Sequence, residues 1–394
     1  MSRIIFHIDV NNAFLSWTAV KLLNDGNNLD IRTIPSVIGG DESKRHGIVL
    51  AKSPIAKKMG IKTADTLYAA RKLCPYLKVY PPDYAYYEEM SKKMMDLISK
   101  YSPVVEQYSI DECFVDFTGM NYIYDDYIKL AYTIKDTIYK TFGFTVNIGV
   151  ANNKLCAKMA SDFEKPNKVH TLFSDEVEKK LLPLPVDNLF MVGKKTAKKL
   201  HDLGINTIKD LHDKDLNFLI DEFKSQGEYL YNSARGIDNS IVDNTLSKAK
   251  SISVSWTLER DTDDINYIKK ILLKQVDEVG RLLRKNKQFA KTITITYKNS
   301  EFDSFSKQIT LNKYICTNDD IYRTVIDLLL KSWDFEKIRN IGVRLSNFND
   351  SNDSNSLFEK EESNDDKLQK TIDDIKNKYG SDVINPALLM EKDK

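Results

Sequence analysis

The sequence predicts an α/β (α+β) chain of several domains, and three observations carry that prediction. Short apolar runs alternate with helically spaced ones through the first 170 residues. The pattern then changes to short helices punctuated by Gly193, Gly204 and Gly227, and a second strand–helix alternation fills 249–348. Alternation of this kind is how sheets covered by helices read in sequence. At 394 residues there is length for several separate cores.

Residues 3–9 read as a buried strand, and Asn11 to Leu22 as a turn passing into a helix with Ala13, Phe14, Trp17 and Val20 on one side. Gly39, Gly40 and Gly47 mark a loop before a strand at Ile48–Ala51, and helical spacing returns over Tyr84–Tyr101. Apolar runs Val104–Ile110 and Cys113–Phe117 flank Asp111 and Glu112. Successive residues of a straight strand face opposite ways, so both carboxylates can serve one site only if the chain turns there; a tight hairpin is predicted. A helix at Tyr127–Phe142, a strand at Thr145–Val150 and a helix at Lys154–Phe163 complete a sheet expected to be flanked on one face. Lys165-Pro166-Asn167 ends that unit.

Residues 171–238 read as a small helical domain and 239–248 as a linker. Within 249–348, strands are expected at Ile252–Leu258, Thr292–Tyr297, Ser306–Leu311 and Ile341–Phe348, with helices near 265–285 and 320–332. The Asn- and Ser-rich run after Asn347 predicts a flexible tail over 349–394, weakly helical at Lys367–Lys378.

The net charge of +1 conceals an asymmetry. From Asn347 onward there are twelve acidic and seven basic residues, which leaves the preceding 346 residues with six excess positive charges, consistent with a polyanionic partner. The four cysteines and five histidines are scattered without zinc or disulfide spacing, so a reduced, cytoplasmic chain is expected. No apolar stretch is long enough to cross a bilayer, and no membrane association is expected.

Asp9 ends the first strand, and Asp111 and Glu112 sit at the hairpin. If these strands pair, three carboxylates converge, an arrangement whose repulsion a divalent cation relieves. Hard oxygen ligands suit Mg²⁺ and phosphoryl- or nucleotidyl-transfer chemistry. Asp-Glu by itself says little, since it occurs five times in the chain; only the pair at 111–112 lies between β-patterned, aromatic-rich segments.

Three stretches place these residues in a known context: His7-Ile8-Asp9-Val10-Asn11-Asn12-Ala13-Phe14, Tyr108-Ser109-Ile110-Asp111-Glu112-Cys113-Phe114-Val115-Asp116, and Lys165-Pro166-Asn167. In order and spacing they resemble the signature stretches of Y-family DNA polymerases, the translesion enzymes of the bacterial polymerase IV and polymerase V type. The resemblance runs from residue 3 to about 348. It implies a right-hand polymerase with palm and fingers in 1–170 (fingers at about 19–80), a helical thumb in 171–238 and an α/β little finger in 249–348.

For the site, the resemblance implies two Mg²⁺ ions held by Asp9, Asp111 and Glu112 with the carbonyl of Val10. Phe14 falls at the steric gate that excludes a 2′-hydroxyl. Lys57, Lys165 and the backbone of Asn12, Ala13 and Phe14 fall at the incoming dNTP. Asn11 stands where the family often has Asp, Pro54 where many members have Tyr, and Lys57 where Arg is frequent. A nucleotide cyclase would need neither thumb nor little finger, and a non-catalytic accessory factor would not need the carboxylates.

For primer–template DNA, Gly193, Lys194 and Lys195 resemble a helix–hairpin–helix whose first glycine is replaced by Met191. Arg281, Arg284, Lys285 and Lys287 are expected to form a second phosphate-tracking surface in the little finger. Ser354-Asn355-Ser356-Leu357-Phe358 is similar to the peptide with which bacterial polymerases dock on the sliding clamp, with Leu357 and Phe358 as anchors. A monomer is expected.

Overall fold

A five-stranded sheet organises the first part of the chain, in a computed structural model that describes residues 3–42, 47–245, 248–350, 364–380 and 383–384. Its centre is β1 (Ile5–Val10), every residue of which is buried. β1 pairs antiparallel with both β6 (Glu112–Asp116) and β7 (Val146–Ala151); β5 (Val105–Gln107) and β8 (Val169–Leu172) are the outer strands.

Helices α1 (Ala13–Asn24), α4 (Tyr84–Ile98) and α5 (Tyr127–Phe142) bury Trp17, Tyr87, Met94, Ile134 and Ile138 against Phe6, Ile8, Val115, Ile148 and Val150 on one face. The other face is covered as well, contrary to the expectation of one-sided flanking. Ile5, Phe114 and Ala151 pack beneath α6 (Lys154–Ser161). The cause is Gly149: a Cβ there would lie 1.9 Å from the carbonyl oxygen of Ala157, so only a residue without a side chain lets the α6 backbone come so close.

A three-stranded sheet, β3-β2-β4, forms a smaller lobe from β2 (Ser36–Gly39), β3 (Val49–Lys52) and β4 (Lys78–Tyr80). With α2 (Pro54–Lys58) and α3 (Leu67–Leu73) it encloses Val37, Val49, Ala56, Ile61, Leu67 and Leu77. Short helices follow: α7 (Val177–Lys180), α8 (Lys194–Asp202), α9 (Ile208–His212), α10 (Leu216–Phe223) and α11 (Ser225–Ala234). Leu181, which caps the end of α7, and their Leu200, Leu211 and Leu230 share one core with Leu155 and Met159 of α6, so this helical part and the five-stranded sheet belong to one compact unit extending to Leu246.

The second unit begins at Ser247. β9 (Ser251–Thr262), β10 (Gln288–Asn299), β11 (Ser304–Ile315) and β12 (Ile338–Asp350) form an antiparallel sheet ordered β11-β10-β12-β9. α12 (Ile265–Lys285) and α13 (Asn318–Ser332) cover one face through Leu272, Val276, Val279, Val325 and Leu329. The tail, expected to be flexible, contains α14 (Asn364–Tyr379) among its described residues. It is held to α12 by ion pairs from Asp373 to Arg284 at 2.6 Å and from Lys376 to Asp277 at 2.5 Å.

Candidate active site

Strand register brings the first carboxylates together. Asp9 lies opposite Glu112 across β1 and β6, and opposite Asn147 across β1 and β7. Directly opposed residues of antiparallel strands share a face, so all three point toward α6. Asp111 lies just before β6, in the turn that starts at Tyr108, where the amides of Tyr108 and Ser109 donate to the carbonyl of Glu112. The predicted hairpin is present, and its turn precedes Glu112. Val10 N–H donates to the carbonyl of Asp111 at 3.0 Å, tying the turn to the end of β1. The Asp111 carboxylate accepts from Ser109 Oγ at 2.7 Å.

Two lysines answer the negative charge. Lys158, almost wholly buried on α6, places its Nζ 2.9 Å from Glu112 and 3.5 Å from Asp9. Lys165 places its Nζ 3.1 Å from Asp9 and 2.8 Å from Asp162. Burial pushes the Asp9 carboxyl above the usual carboxylate range; Lys165 and Lys158 oppose that shift and Glu112 adds to it. Burial also works against the charge on Lys165, but Asp9 and Asp162 outweigh it and hold the ammonium above its ordinary value.

His7 follows from the same period of two, one step back along β1 on the face of Asp9. Ser161 Oγ donates to the carbonyl of Lys158 at 2.8 Å, so His7 Nδ1 must donate to Ser161 Oγ, also at 2.8 Å. That leaves Nε2 bare, 3.4 Å from Glu112 and with no hydrogen-bond partner among the described residues. Burial, reinforced by the charge of Lys158, pulls the His7 pKa down to about 3, so the ring is neutral.

Asn11 serves as scaffold. Its Nδ2 donates to Asn147 Oδ1 at 3.1 Å and its Oδ1 accepts from the amide of Asn167 at 2.8 Å. Asn147 Nδ2 in turn donates to the carbonyls of Ser161 and Glu164 at 3.0 and 2.7 Å. These neutral amides fasten the loop carrying Lys165 to the sheet, a task an acid at 11 could not share in the same way, because a carboxylate has no hydrogen to give Asn147.

Phe14 sits half-buried in the first turn of α1, stacked on Tyr87 at 4.6 Å and edge-on to Tyr84 at 5.9 Å. Asn12, at φ 53°, leads into the helix without a side-chain cap and donates its Nδ2 to the carbonyl of Lys52 at 2.8 Å. The first-turn amides of α1, Ala13 and Phe14 among them, therefore form the positive end of a helix that starts four residues after Asp9. Lys57 is exposed on α2; Ser53 caps that helix and Pro54 occupies its first turn, where a missing N–H costs nothing. Lys52, whose Nζ donates to Thr63 Oγ1 at 2.8 Å, is held below its ordinary value by burial and, next, by the charge of Lys57.

The donor set fits a magnesium-type ion: carboxylate oxygens and a backbone carbonyl, with no soft ligand. As arranged, no three His, Cys, Asp or Glu side chains among the described residues gather closely enough to enclose one. Asp111 faces Ser109, and the positive charge between Asp9 and Glu112 is an ammonium.

Residues 8–162 match the impB/mucB/samB family, 249–357 that family's C-terminal domain, and 187–238 the thumb domain of DNA polymerase-iota. DNA polymerase IV of Clostridium acetobutylicum is 43% identical, with all of both chains covered, and that of Clostridium kluyveri is 35% identical over the whole of each. The chain belongs to the Y family of DNA polymerases. Among solved structures, a Y-family polymerase chimera of Dbh and Dpo4 superposes with a TM-score of 0.78 at 27% identity, covering 88% of this chain and 99% of its own. A Dbh ternary complex gives 0.60 at 28% identity, covering 87% of this chain and 98% of its own. Family membership makes this a DNA-directed, translesion-type DNA polymerase of the polymerase IV group, with metal-dependent chemistry.

The surfaces expected to meet DNA divide in two. In the Y-family thumb, Gly193 is the N-cap of α8, and Lys194 and Lys195 lie exposed in its first turn. Met191, in the position where the resemblance expects glycine, adopts φ 65°, the left-handed conformation glycine takes without strain. In the little finger, Lys285 and Lys287 are exposed, but Arg284 is engaged intramolecularly. It donates to both carboxylate oxygens of Asp373, to the carbonyl of Cys316 and to Asn318, while Arg281 reaches Asn377 at 3.2 Å. Of the four residues expected to track phosphates, Arg281 and Arg284 thus make contacts within the chain, the latter to an acid 89 residues away. Leu357 and Phe358 lie outside the described residues. No described helix is long and apolar enough to cross a membrane.

Lys158, Lys52, His7 and Asn147 were missed from sequence. For Lys158 and His7 a signal existed: helical spacing puts Lys158 beside Asp162, and strand alternation puts His7 beside Asp9.

Proposed function

We propose that this polymerase binds two Mg²⁺ ions through Asp9, Asp111, Glu112 and the carbonyl of Val10. Bound there, the ions would activate the primer 3′-hydroxyl and offset the charge of the departing pyrophosphate. The observation that carries the reading is the opposition of Asp9 and Glu112 in register on one sheet face, with the turn of Asp111 tied to the end of β1.

The chain's own residues supply the rest. Lys57 and Lys165 would hold the triphosphate, and the uncapped start of α1 at Asn12, Ala13 and Phe14 would add backbone donors. The Phe14 ring, fixed against Tyr87, would lie under the deoxyribose and exclude a 2′-hydroxyl. Ala51, Ser53 and Pro54 are small enough to leave a permissive space over the nascent pair, in keeping with damaged templates. Gly193, Lys194 and Lys195 would bind phosphates without reading bases.

In the little finger the helix-free face supports a second DNA surface. Thr294 is paired with Gln308 and Arg344, and Arg344 with Ser253, so hydroxyl, amide and guanidinium groups line up across four strands. Leu357 and Phe358 would dock on a sliding clamp.

Primer extension on a DNA template with Mg²⁺ tests the core of this reading. Asp111→Ala is expected to lower the rate on the order of 10³-fold, since it removes several kcal/mol of charge stabilisation. Extension at the unaltered rate would overturn the assignment.

A further inference from the structure

Lys158 has no role in the account above, yet it makes the closest cation contact to Glu112 and also touches Asp9. We propose that Lys158 is a resident counter-ion: its ammonium neutralises Asp9 and Glu112 when no divalent ion is bound, and it must move toward Asp162 before one can bind. The inference rests on the reading of Asp9 and Glu112 as metal ligands, and extends it to how that site is kept charged and folded between binding events.

The geometry separates a fixed part from a movable one. The backbone of α6 cannot retreat: it lies against Gly149, Asn153 caps its start by accepting from Cys156 N–H, and Ser161 is bonded to His7. The Lys158 side chain, by contrast, is a long flexible stem carrying a point charge. One helical turn on, Asp162 already stands 3.8 Å from the ammonium and is half-exposed, so a second acceptor lies within a short swing. Asp162 also pairs with Lys165 at 2.8 Å, which keeps that lysine from being drawn wholly onto Asp9.

Charge dictates the direction. An ammonium between Asp9 and Glu112 offsets like-charge repulsion in a buried place where water cannot do so. A divalent ion taking the same oxygens would face that ammonium at close range, and the lysine, held by no covalent or backbone constraint, is the group that yields. Metal affinity is therefore lower than the carboxylates alone would give, and the metal-free fold is more stable.

The test uses the full-length, metal-free chain with Mn²⁺ alone as probe, its binding followed by electron paramagnetic resonance and its melting temperature recorded in chelator. Lys158→Met should bind Mn²⁺ several-fold more tightly than the wild type and melt lower in chelator, with much of that loss recovered when Mn²⁺ is added. Lys158→Arg, which keeps the charge, should stay closer to the wild type. Asp162→Asn should weaken Mn²⁺ binding in the wild-type background but not in Lys158→Met, because the displaced ammonium no longer needs an acceptor. Unchanged or weaker Mn²⁺ binding by Lys158→Met overturns the proposal, and so does an Asp162→Asn effect of equal size in both backgrounds. Mn²⁺ binding that is indifferent to Asp9→Asn would instead overturn the metal-ligand reading beneath it.

Discussion

The five-stranded sheet of the first unit and the four-stranded sheet of the second each press one face against long helices, and they differ in what the opposite face holds. In the first, His7, Asp9 and Glu112 lie beneath α6, and the charges of Asp9, Glu112, Asp162, Lys158 and Lys165 meet in one cluster. In the second, the face away from α12 and α13 carries Thr294, Gln308, Arg344 and Ser253, small or polar groups spread over four strands with Gln308, Arg344 and Ser253 exposed. Burial makes each charge of the first face strong, dependent on its neighbours and intolerant of loss. Exposure makes each group of the second weak, independent and additive. A reacting centre calls for the former, and a surface that slides along a polyanion without reading it calls for the latter.

Next in size to the loss of Asp111 should be removal of the Phe14 ring, the proposed gate. Phe14→Ala is expected to reduce discrimination against ribonucleotides about 10²-fold, the scale on which an apolar wall rejects an added hydroxyl, while deoxynucleotide incorporation survives. Single-nucleotide incorporation with matched ribo- and deoxyribonucleotides measures it. Unchanged sugar selectivity would make Phe14 a plain packing residue on Tyr87.

The buried face should also show in the pH dependence of stability. His7 ordinarily titrates near 6.5 and is pulled down to about 3 in the fold, so the unfolded chain takes up its proton first as pH falls. The stability it contributes is complete above 6.5 and is lost toward about 3, at up to about 1.4 kcal/mol per pH unit. Urea unfolding across this window should fall less steeply for His7→Gln than for the wild type; parallel curves would mean that the ring is solvated.

The smallest effect belongs to the open face. Arg344→Ala should weaken primer–template binding evenly across sequences and lower the salt-dependence slope by about 0.9, the value of one phosphate contact. A sequence-dependent loss would assign Arg344 to base reading and break the contrast between the two sheets.

The same contrast governs what could be read from sequence. Asp9 and Glu112 were legible because strand alternation and a required hairpin are local rules, and the long helices α4, α5 and α12 carry several turns of apolar spacing. β2 and β4, at four and three residues, are too short to display a period, and they are held by packing against α1, α2 and α3. The second covering of the five-stranded sheet depends on Gly149, whose meaning is a close approach across space rather than a local preference. The ion pair of Arg284 was not legible because Asp373 lies far along the chain. Lys158 became legible only once register placed two carboxylates beside it.

The central claim is that Asp9 and Glu112 share a divalent ion beside an incoming nucleotide. The direct test is to count Mn²⁺ ions bound to the enzyme with a dideoxy-terminated primer–template and the next dNTP, in the wild type and in Glu112→Gln. Two tightly held ions in the wild type, with loss of at least one in the variant, is the predicted result. The same number held with the same affinity in both would contradict the account.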